Sequence, residues 1–251
     1  MKNKRDTKFL TQSFIAHRGL HNINENIPEN TLKAFKNAIK NNYAIELDVH
    51  ILKDGNVIVF HDKTLFRMTG VNKKIKDMNY DEIKCLKLEN TSENIPLLKE
   101  VLKLVAGKVP LIIELKSSNK VGTLEKEVMK LLENYNGKFA IKSFNPFSLL
   151  YIKKYFPEVI RGQLSSDFKN KNFSIIKKII YSKMPFNFIT KPDFISYDIK
   201  AFPNKRIAKL RKNIIIIGWT VRSIDDLKYA KKYCDNFIFE KVDIKLIKNY
   251  L

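Results

Sequence analysis

The stretch that decides the fold runs from Ile15 to Asp62 and reads IAHRGLHNINENIPENTLKAFKNAIKNNYAIELDVHILKDGNVIVFHD. After a short apolar start, apolar residues recur at helical spacing over Glu29–Asn41. A second apolar run, Tyr43–Val49, is separated by the turn signal Lys53–Gly55 from a third run at Val57–Phe60. The stretch therefore predicts a strand, a helix and a strand that continues into a hairpin.

The same alternation of apolar runs continues to the end of the chain. Runs such as Leu111–Ile113 and Ile214–Ile217 are typical of strands covered on both faces, as in a parallel sheet. Eight strand–helix units can be counted, and their strands start near Ser13, Ala44, Pro110, Phe139, Val159, Phe194, Ile214 and Phe237. The helices expected from the same pattern include Tyr80–Leu86, Pro146–Tyr155, Phe173–Met184, Lys205–Arg211 and Asp243–Tyr250.

Eight such units in 251 residues are the size of a (β/α)8 TIM barrel of the α/β class. We expect a single domain over residues 1–251, with a core of about 13–240 and a loop and helix excursion at 62–96. An open doubly wound sheet is the alternative. A dinucleotide-binding version of it is disfavoured, because no G-x-G-x-x-G motif follows the first strand.

The net charge of +21 is large, but it does not by itself identify a binding partner. Only seven of the 47 basic residues are arginine, and the lysines are spread over the whole chain, which indicates solvated surfaces. We therefore expect a small anionic substrate, with no nucleic acid and no obligate protein partner. Contact with a membrane surface is compatible with the charge, but no amphipathic anchor is visible in the sequence.

The location is predicted from what the sequence lacks. No apolar run reaches the roughly 18 residues of a membrane span, and the charged N-terminus leads into no signal sequence. Cys85 and Cys234 are expected to be buried free thiols, since two cysteines make no disulfide framework. These features favour a cytoplasmic protein.

Acidic side chains occur at the predicted strand ends, where a barrel builds its site. Glu46 and Asp48 are two residues apart on one strand and therefore share a face, and Glu114 and Lys116 repeat this spacing. Neighbouring carboxylates repel one another, and a hard cation such as Ca²⁺ or Mg²⁺ relieves that repulsion. Lys116 could hold a phosphate oxygen. The alternative is that each acidic residue simply pairs with a lysine.

Two histidines accompany these acidic residues. His17 and His61 stand beside charged neighbours, which favours a pair that transfers protons. His50 lies further along the strand of Asp48 and is interpreted as a rim or turn residue, and His21 as a loop residue. Trp219 at a strand end is interpreted as a pocket wall, with a place in the core as the alternative.

The motifs IAHRG, PENT, IELDV, KDG, FHD, IIELK, SFNP and GWTV together resemble the glycerophosphodiester phosphodiesterases, most closely those soluble bacterial members without a membrane domain. The matches extend from His17 to about Val221. The resemblance implies a (β/α)8 barrel and metal-dependent hydrolysis of glycerophosphodiesters to glycerol 3-phosphate and an alcohol. The nucleophile it implies is the 2-hydroxyl of the glycerol, through a cyclic phosphate that water then opens.

Residue roles follow from the same resemblance. One departure from the family pattern is Phe239-Glu240, where members often have Thr followed by Asp or Asn. The implied roles are His17 and His61 as catalytic pair, Glu46, Asp48 and Glu114 as metal ligands, Arg18 and Lys116 as phosphate contacts, Glu29 and Asn30 as supporting residues, and Trp219 as aromatic wall.

Two other functions are compatible with the sequence. A lysophospholipase D would act on lysophospholipids at the same site. A non-catalytic basic binding protein could also use a barrel scaffold, although the intact set of histidines and acidic residues argues against it.

Overall fold

The structure is a computed structural model that describes residues 5–116, 120–168, 174–243 and 247. Of the helix predicted over Asp243–Tyr250, only Asp243 and Ile247 are described, and the Ile247 amide donates to the Asp243 carbonyl at 3.0 Å. The strands are β1 Ile15–Ala16, β2 Ala44–Ile51, β3 Val57–Val59, β4 Leu111–Leu115, β5 Phe139–Ser143, β6 Arg161–Ser165, β7 Phe194–Asp198, β8 Ile215–Val221 and β9 Asn236–Phe239. The α-helices are α1 Phe9–Gln12, α2 Leu32–Lys40, α3 Phe66–Thr69, α4 Tyr80–Ile83, α5 Leu98–Val105, α6 Thr123–Leu132, α7 Pro146–Tyr155, α8 Ile175–Lys183, α9 Asn187–Thr190, α10 Lys205–Arg211 and α11 Ile224–Lys231.

The order of these elements confirms the predicted fold class, the (β/α)8 barrel. Its eight strands are β1, β2 and β4 to β9, and β3 is an additional hairpin strand that pairs antiparallel with β2. By its contacts the chain divides into two compact units, here called the first unit (Ala16–Phe139) and the second unit (Met1–Ile15 with Ala140–Leu251). That the whole chain acts as one domain stays a prediction.

In the first unit, β2 and β4 pair in parallel register, and this register places Asp48 directly opposite Glu114. Helix α2 starts where the sequence provides a cap, because the Thr31 side chain accepts a hydrogen bond from the Ala34 amide. The predicted excursion after β3 has its own small core, in which Leu65, Ile75 and other apolar residues are buried.

Helix α4 is shorter than the expected helix over residues 80–86. It ends at Ile83, so Cys85 lies in the following turn and is exposed, and the expectation of a buried thiol there is wrong. Cys234 is buried as expected, and burial raises the pKa of its thiol to about 12. Both cysteines are free.

In the second unit, β5 to β9 pair in parallel order, and Val221 at the end of β8 pairs with Phe239 of β9. This pairing extends β8 two residues beyond Trp219, where the strand was expected to end. Gly162 on β6 gives room to the Phe194 ring, which lies 2.2 Å from the place a Cβ atom would take. Within the described part of the chain, no helix is long and apolar enough to cross a membrane.

Candidate active site

Three buried carboxylates of the first unit form the centre of the site. Glu46, Asp48 and Glu114 each offer an oxygen, and these three oxygens lie within 4.8 Å of one another. The register of β2 and β4 explains the grouping, because it places Asp48 opposite Glu114 while Glu46 shares the face of Asp48. The three residues that the sequence predicts as metal ligands are thus brought together.

Lys116 and Arg18 carry the positive charge next to these carboxylates. The Lys116 ammonium lies 2.9 Å from Asp48 Oδ1 and 2.5 Å from Glu114 Oε1, and Arg18 Nε lies 3.5 Å from Asp48 Oδ2. Burial opposes ionisation of Asp48, but Lys116, His61 and Arg18 outweigh it and hold the pKa of this carboxyl well below its usual range. The same carboxylates raise the pKa of Lys116 despite its burial. The alternative expected from the sequence was that each acidic residue pairs with a lysine. In the structure Lys116 pairs with Asp48 and Glu114, two of the three acidic residues.

The loops that carry Arg18 and Asn30 are held in unusual backbone conformations. Both residues have positive φ angles, 54° and 56°, and the Asn30 amide donates to the Arg18 carbonyl. Such conformations are disfavoured for residues other than glycine and are common at functional sites. They let the Arg18 amide donate to Glu46 Oε2 at 3.1 Å and the Asn30 side chain donate to Asp48 Oδ2 at 3.0 Å.

The next residue, Gly19, has a packing reason to be glycine. Its φ angle is 78°, and a Cβ atom there would lie 2.9 Å from both the Ala34 Cβ and the Phe35 ring. Any side chain would therefore push the loop away from α2. The H-R-G segment is fixed from both sides, by its glycine and by its hydrogen bonds to the carboxylates.

The two predicted catalytic histidines have different surroundings. His17 is buried, and its Nε2 lies 3.9 Å from Glu46 Oε2. His61 keeps a third of its side chain exposed, and its Nδ1 lies 2.6 Å from Asp62 Oδ1. Because Asp62 engages Nδ1, Nε2 is the His61 nitrogen available to a substrate.

A chain of ion pairs connects His61 with Arg18. Arg67 donates from Nε to Asp62 Oδ2 and from Nη2 to Glu29 Oε1, both at 2.6 Å. Glu29 Oε1 also accepts from Arg18 at 2.7 Å. Burial opposes ionisation of Glu29, but Arg18 and Arg67 outweigh it and lower its pKa. Glu29 and Asn30 therefore contact the residues they were expected to support.

Three residues of the site were not identified as functional from the sequence: Asp62, Arg67 and His50. Asp62 follows His61 directly, so the dipeptide was a usable signal, whereas Arg67 had none. His50 is buried with its Nε2 3.2 Å from the His61 carbonyl oxygen, and burial lowers its pKa to about 4. A neutral His50 at physiological pH donates to that carbonyl and positions the segment of His61, which agrees with the interpretation as a turn partner.

Trp219 belongs to the second unit, and its ring contacts another residue of that unit. Its ring is half-buried and lies edge-on to Phe144, with 6.0 Å between the ring centroids. Among the described residues, none accepts a hydrogen bond from its buried indole nitrogen. The role of an aromatic wall stays a prediction. Glu240, at the departure from the family pattern, accepts a hydrogen bond from Arg222 at 2.7 Å.

The charges of the site fit a divalent cation. Five carboxylates, Glu29, Glu46, Asp48, Asp62 and Glu114, face three permanent cations, Arg18, Arg67 and Lys116, so the formal charge with neutral histidines is −2. Three of the carboxylates converge within the reach of one ion, and carboxylate oxygens suit hard cations. The donor set therefore fits Ca²⁺ or Mg²⁺.

The (β/α)8 barrel carries carboxylates on β2 and β4 and an arginine and two histidines just after β1 and β3, an arrangement typical of barrel enzymes. A model of the glycerophosphoryl diester phosphodiesterase family matches residues 17–243. The chain belongs to this family.

Individual relatives agree with the family match. A glycerophosphodiester phosphodiesterase of Caldanaerobacter subterraneus is 35% identical over 205 residues, which are 75% of this chain and 83% of that protein. Human Lysophospholipase D GDPD1 is 37% identical over 149 residues, 54% of this chain but only 45% of the human protein. A solved phosphodiesterase of Oleispira antarctica, in complex with the product sn-glycerol-3-phosphate, is 23% identical with a TM-score of 0.76, and the match covers 92% of this chain and 94% of that one. The last likeness shows that the fold is shared.

Proposed function

We propose that the chain hydrolyses glycerophosphodiesters to glycerol 3-phosphate and an alcohol at the carboxylate cluster of the first unit. The grouping of Glu46, Asp48 and Glu114 within 4.8 Å, next to two histidines, carries the proposal. Membership of the phosphodiesterase family supports the same reaction. The substrate is a small molecule, and the chain works in the cytoplasm.

The three carboxylates would hold Ca²⁺ or Mg²⁺, which neutralises charge on the phosphodiester when bound. Arg18 and Lys116 lie against the same carboxylates, and they hold the phosphate oxygens and stabilise the charge that develops there. Glu29 and Asn30 keep the arginine and Asp48 in place through the hydrogen bonds described above. The phosphodiester group is thus recognised by positive charges that hydrogen bonds hold in position.

The two histidines move the protons. We assign His17 as the base that removes a proton from the attacking hydroxyl, and His61 as the acid that protonates the leaving alkoxide. His61 transfers its proton at Nε2, because Asp62 holds Nδ1. The partial exposure of His61 gives an alcohol of variable size room to leave.

Turnover of defined substrates tests the proposal. Purified protein is incubated with glycerophosphocholine and glycerophosphoethanolamine, with Ca²⁺, with Mg²⁺ or with EDTA, and released glycerol 3-phosphate and choline are measured. We expect release with one of the two ions and none with EDTA. No release with any divalent ion would refute the reaction.

Lysophospholipids are a second candidate substrate, favoured by the similarity to human Lysophospholipase D GDPD1. The same incubation with lysophosphatidylcholine distinguishes the two. Choline release from the lysolipid without release from glycerophosphocholine would select this alternative.

A further inference from the structure

Large apolar side chains that face solvent are concentrated in one part of the second unit. Among the described residues, six of the eight exposed large hydrophobic side chains fall between Phe147 and Phe188. On α8 and α9, Ile175, Ile176 and Phe188 are each more than 70% exposed. A concentration of exposed apolar side chains on a globular protein indicates a surface that binds another protein or a membrane.

The exposed side chains of α8 and α9 are close together along the chain. On α8, Ile179 is four residues after Ile175 and three residues after Ile176. Residues at these spacings are neighbours on a helix, so the three isoleucines form one face. Only three residues separate α8 from α9, and the turn is closed by a hydrogen bond from the Asn187 amide to the Met184 carbonyl. Phe188 is therefore only nine residues after Ile179 in the chain.

Helix α9 is held firmly against α7. The Phe147 and Phe186 rings lie 5.3 Å apart, and the Lys153 ammonium donates to the Ile189 carbonyl oxygen. The exposed Phe188 thus projects from a packed element. We call Ile175, Ile176, Ile179, Phe188, Lys183 and Lys191 the α8–α9 surface.

The charge of this surface identifies its partner. Residues 174–191 contain four lysines and no acidic residue, and Lys183 and Lys191 are exposed. A second copy of the chain would bring the same positive charge and be repelled. Nucleic acid would match the charge, but single strands are bound through stacking of successive bases on several aromatic rings, and Phe188 is the one exposed ring among the described residues of this surface. An anionic lipid surface satisfies both the lysines and the apolar face.

We propose that the α8–α9 surface binds anionic membranes, with its isoleucines and Phe188 in the lipid interface and its lysines at the headgroups. The proposal goes beyond the hydrolysis of soluble diesters and is independent of it, because the residues involved are not those of the site. The sequence is compatible with membrane contact but shows no anchor for it. The proposal identifies one, because the exposed face of α8 is visible only in the structure.

Vesicle binding tests the proposal with the full chain. The protein is sedimented with vesicles of phosphatidylcholine alone or of equimolar phosphatidylcholine and phosphatidylglycerol. We expect binding to the anionic vesicles that weakens with salt, and little binding to phosphatidylcholine alone.

Matched variants separate this surface from the general positive charge of the chain. Ile176→Asp/Ile179→Asp should lower the partition coefficient by about tenfold or more, while Ile23→Asp, an exposed isoleucine of the first unit, should not. Lys183→Glu/Lys191→Glu should also lower it by about tenfold or more. Lys205→Glu/Lys209→Glu on α10 changes the net charge equally and should have little effect. Circular dichroism and turnover of a soluble diester report that each variant is folded.

Three outcomes would overturn the proposal. The full chain does not bind the anionic vesicles, or the isoleucine variant binds as well as the unmodified chain, or both lysine pairs weaken binding equally. A dimer in light scattering that Ile176→Asp/Ile179→Asp dissociates would likewise overturn it and assign the surface to a second copy.

Discussion

The two units contain the same kinds of elements but very different side chains. All four histidines of the chain are in the first unit, and so are all the acidic residues that are at most 5% exposed among the described ones. The second unit buries mainly neutral polar groups on its strands, such as Gln163, Ser165 and Ser196, and carries six of the eight exposed large apolar side chains in the described part. Under the proposed function, proton transfer and ion binding therefore depend on the first unit, and the second unit contributes packing and surface.

The largest expected effect is the loss of either histidine to which we assign a proton transfer, both of which are in the first unit. His17→Ala and His61→Ala should each lower kcat by about 10²–10⁴-fold, because each removes one proton transfer. Steady-state kinetics on glycerophosphocholine measures this, with His21→Ala as a control in the same unit that should retain most activity.

A substrate whose leaving group needs no protonation separates the two roles. On a glycerophosphodiester of p-nitrophenol, His61→Ala should recover much of its activity and His17→Ala should not. The opposite pattern would exchange the assignments of acid and base.

Removal of one carboxylate tests whether the first unit needs all three. Glu114→Gln removes one formal charge from the cluster and should weaken binding of the divalent ion by about 100-fold. Titration calorimetry measures the affinity, and Glu133→Gln, an exposed glutamate of the same unit, is the matched control. Equal affinity of the two variants would contradict the assignment of Glu114 as a ligand.

A change in the second unit should affect stability alone. Gly162→Ala places a Cβ atom 2.2 Å from the Phe194 ring, and such overpacking typically costs about 1–3 kcal/mol of unfolding free energy. Urea denaturation measures the loss, and Phe194→Leu in the Gly162→Ala background should recover part of it. If folded Gly162→Ala bound the divalent ion more weakly, ion binding would depend on the second unit as well, which would contradict the assignment to the first unit.

Local signals explain why much of the fold was predictable. The helices Pro146–Tyr155 and Lys205–Arg211 have the bounds expected from sequence, because Asn145 and Asn204 cap them with side-chain hydrogen bonds. The four-residue helices α1, α3 and α9 were missed, since one turn contains too few residues to show a helical period.

The site was predictable only where its residues are close in sequence. The spacing of Glu46 and Asp48 gave their common face, and Glu114 follows the same rule on the next strand of the sheet. Arg67 pairs with Glu29, which is 38 positions away, and no local pattern encodes such a contact. Periodicity likewise predicted α8 as a helix, but it could not show that the isoleucines face solvent.

Substitution of Arg67 is predicted to have the smallest effect on turnover. It tests whether the relative position of His61 and Arg18 in the first unit matters. Its guanidinium bridges Asp62 and Glu29, and thereby fixes His61 and Arg18 relative to each other. Lysine keeps the charge but lacks the planar fork that reaches both carboxylates, so Arg67→Lys should lower kcat by about tenfold and leave ion affinity unchanged.

The control is Arg206→Lys, an exposed arginine of the second unit, which should have no effect on turnover. If Arg67 acts by positioning His61, Arg67→Lys should lower kcat more than it raises KM, and the loss should shrink on the p-nitrophenyl substrate, which does not need the acid. A loss of equal size on both substrates would mean that Arg67 acts through Arg18 and phosphate binding instead. Either result defines the role of Arg67 more narrowly than the histidine variants can, because Arg67→Lys leaves both histidines in the chain.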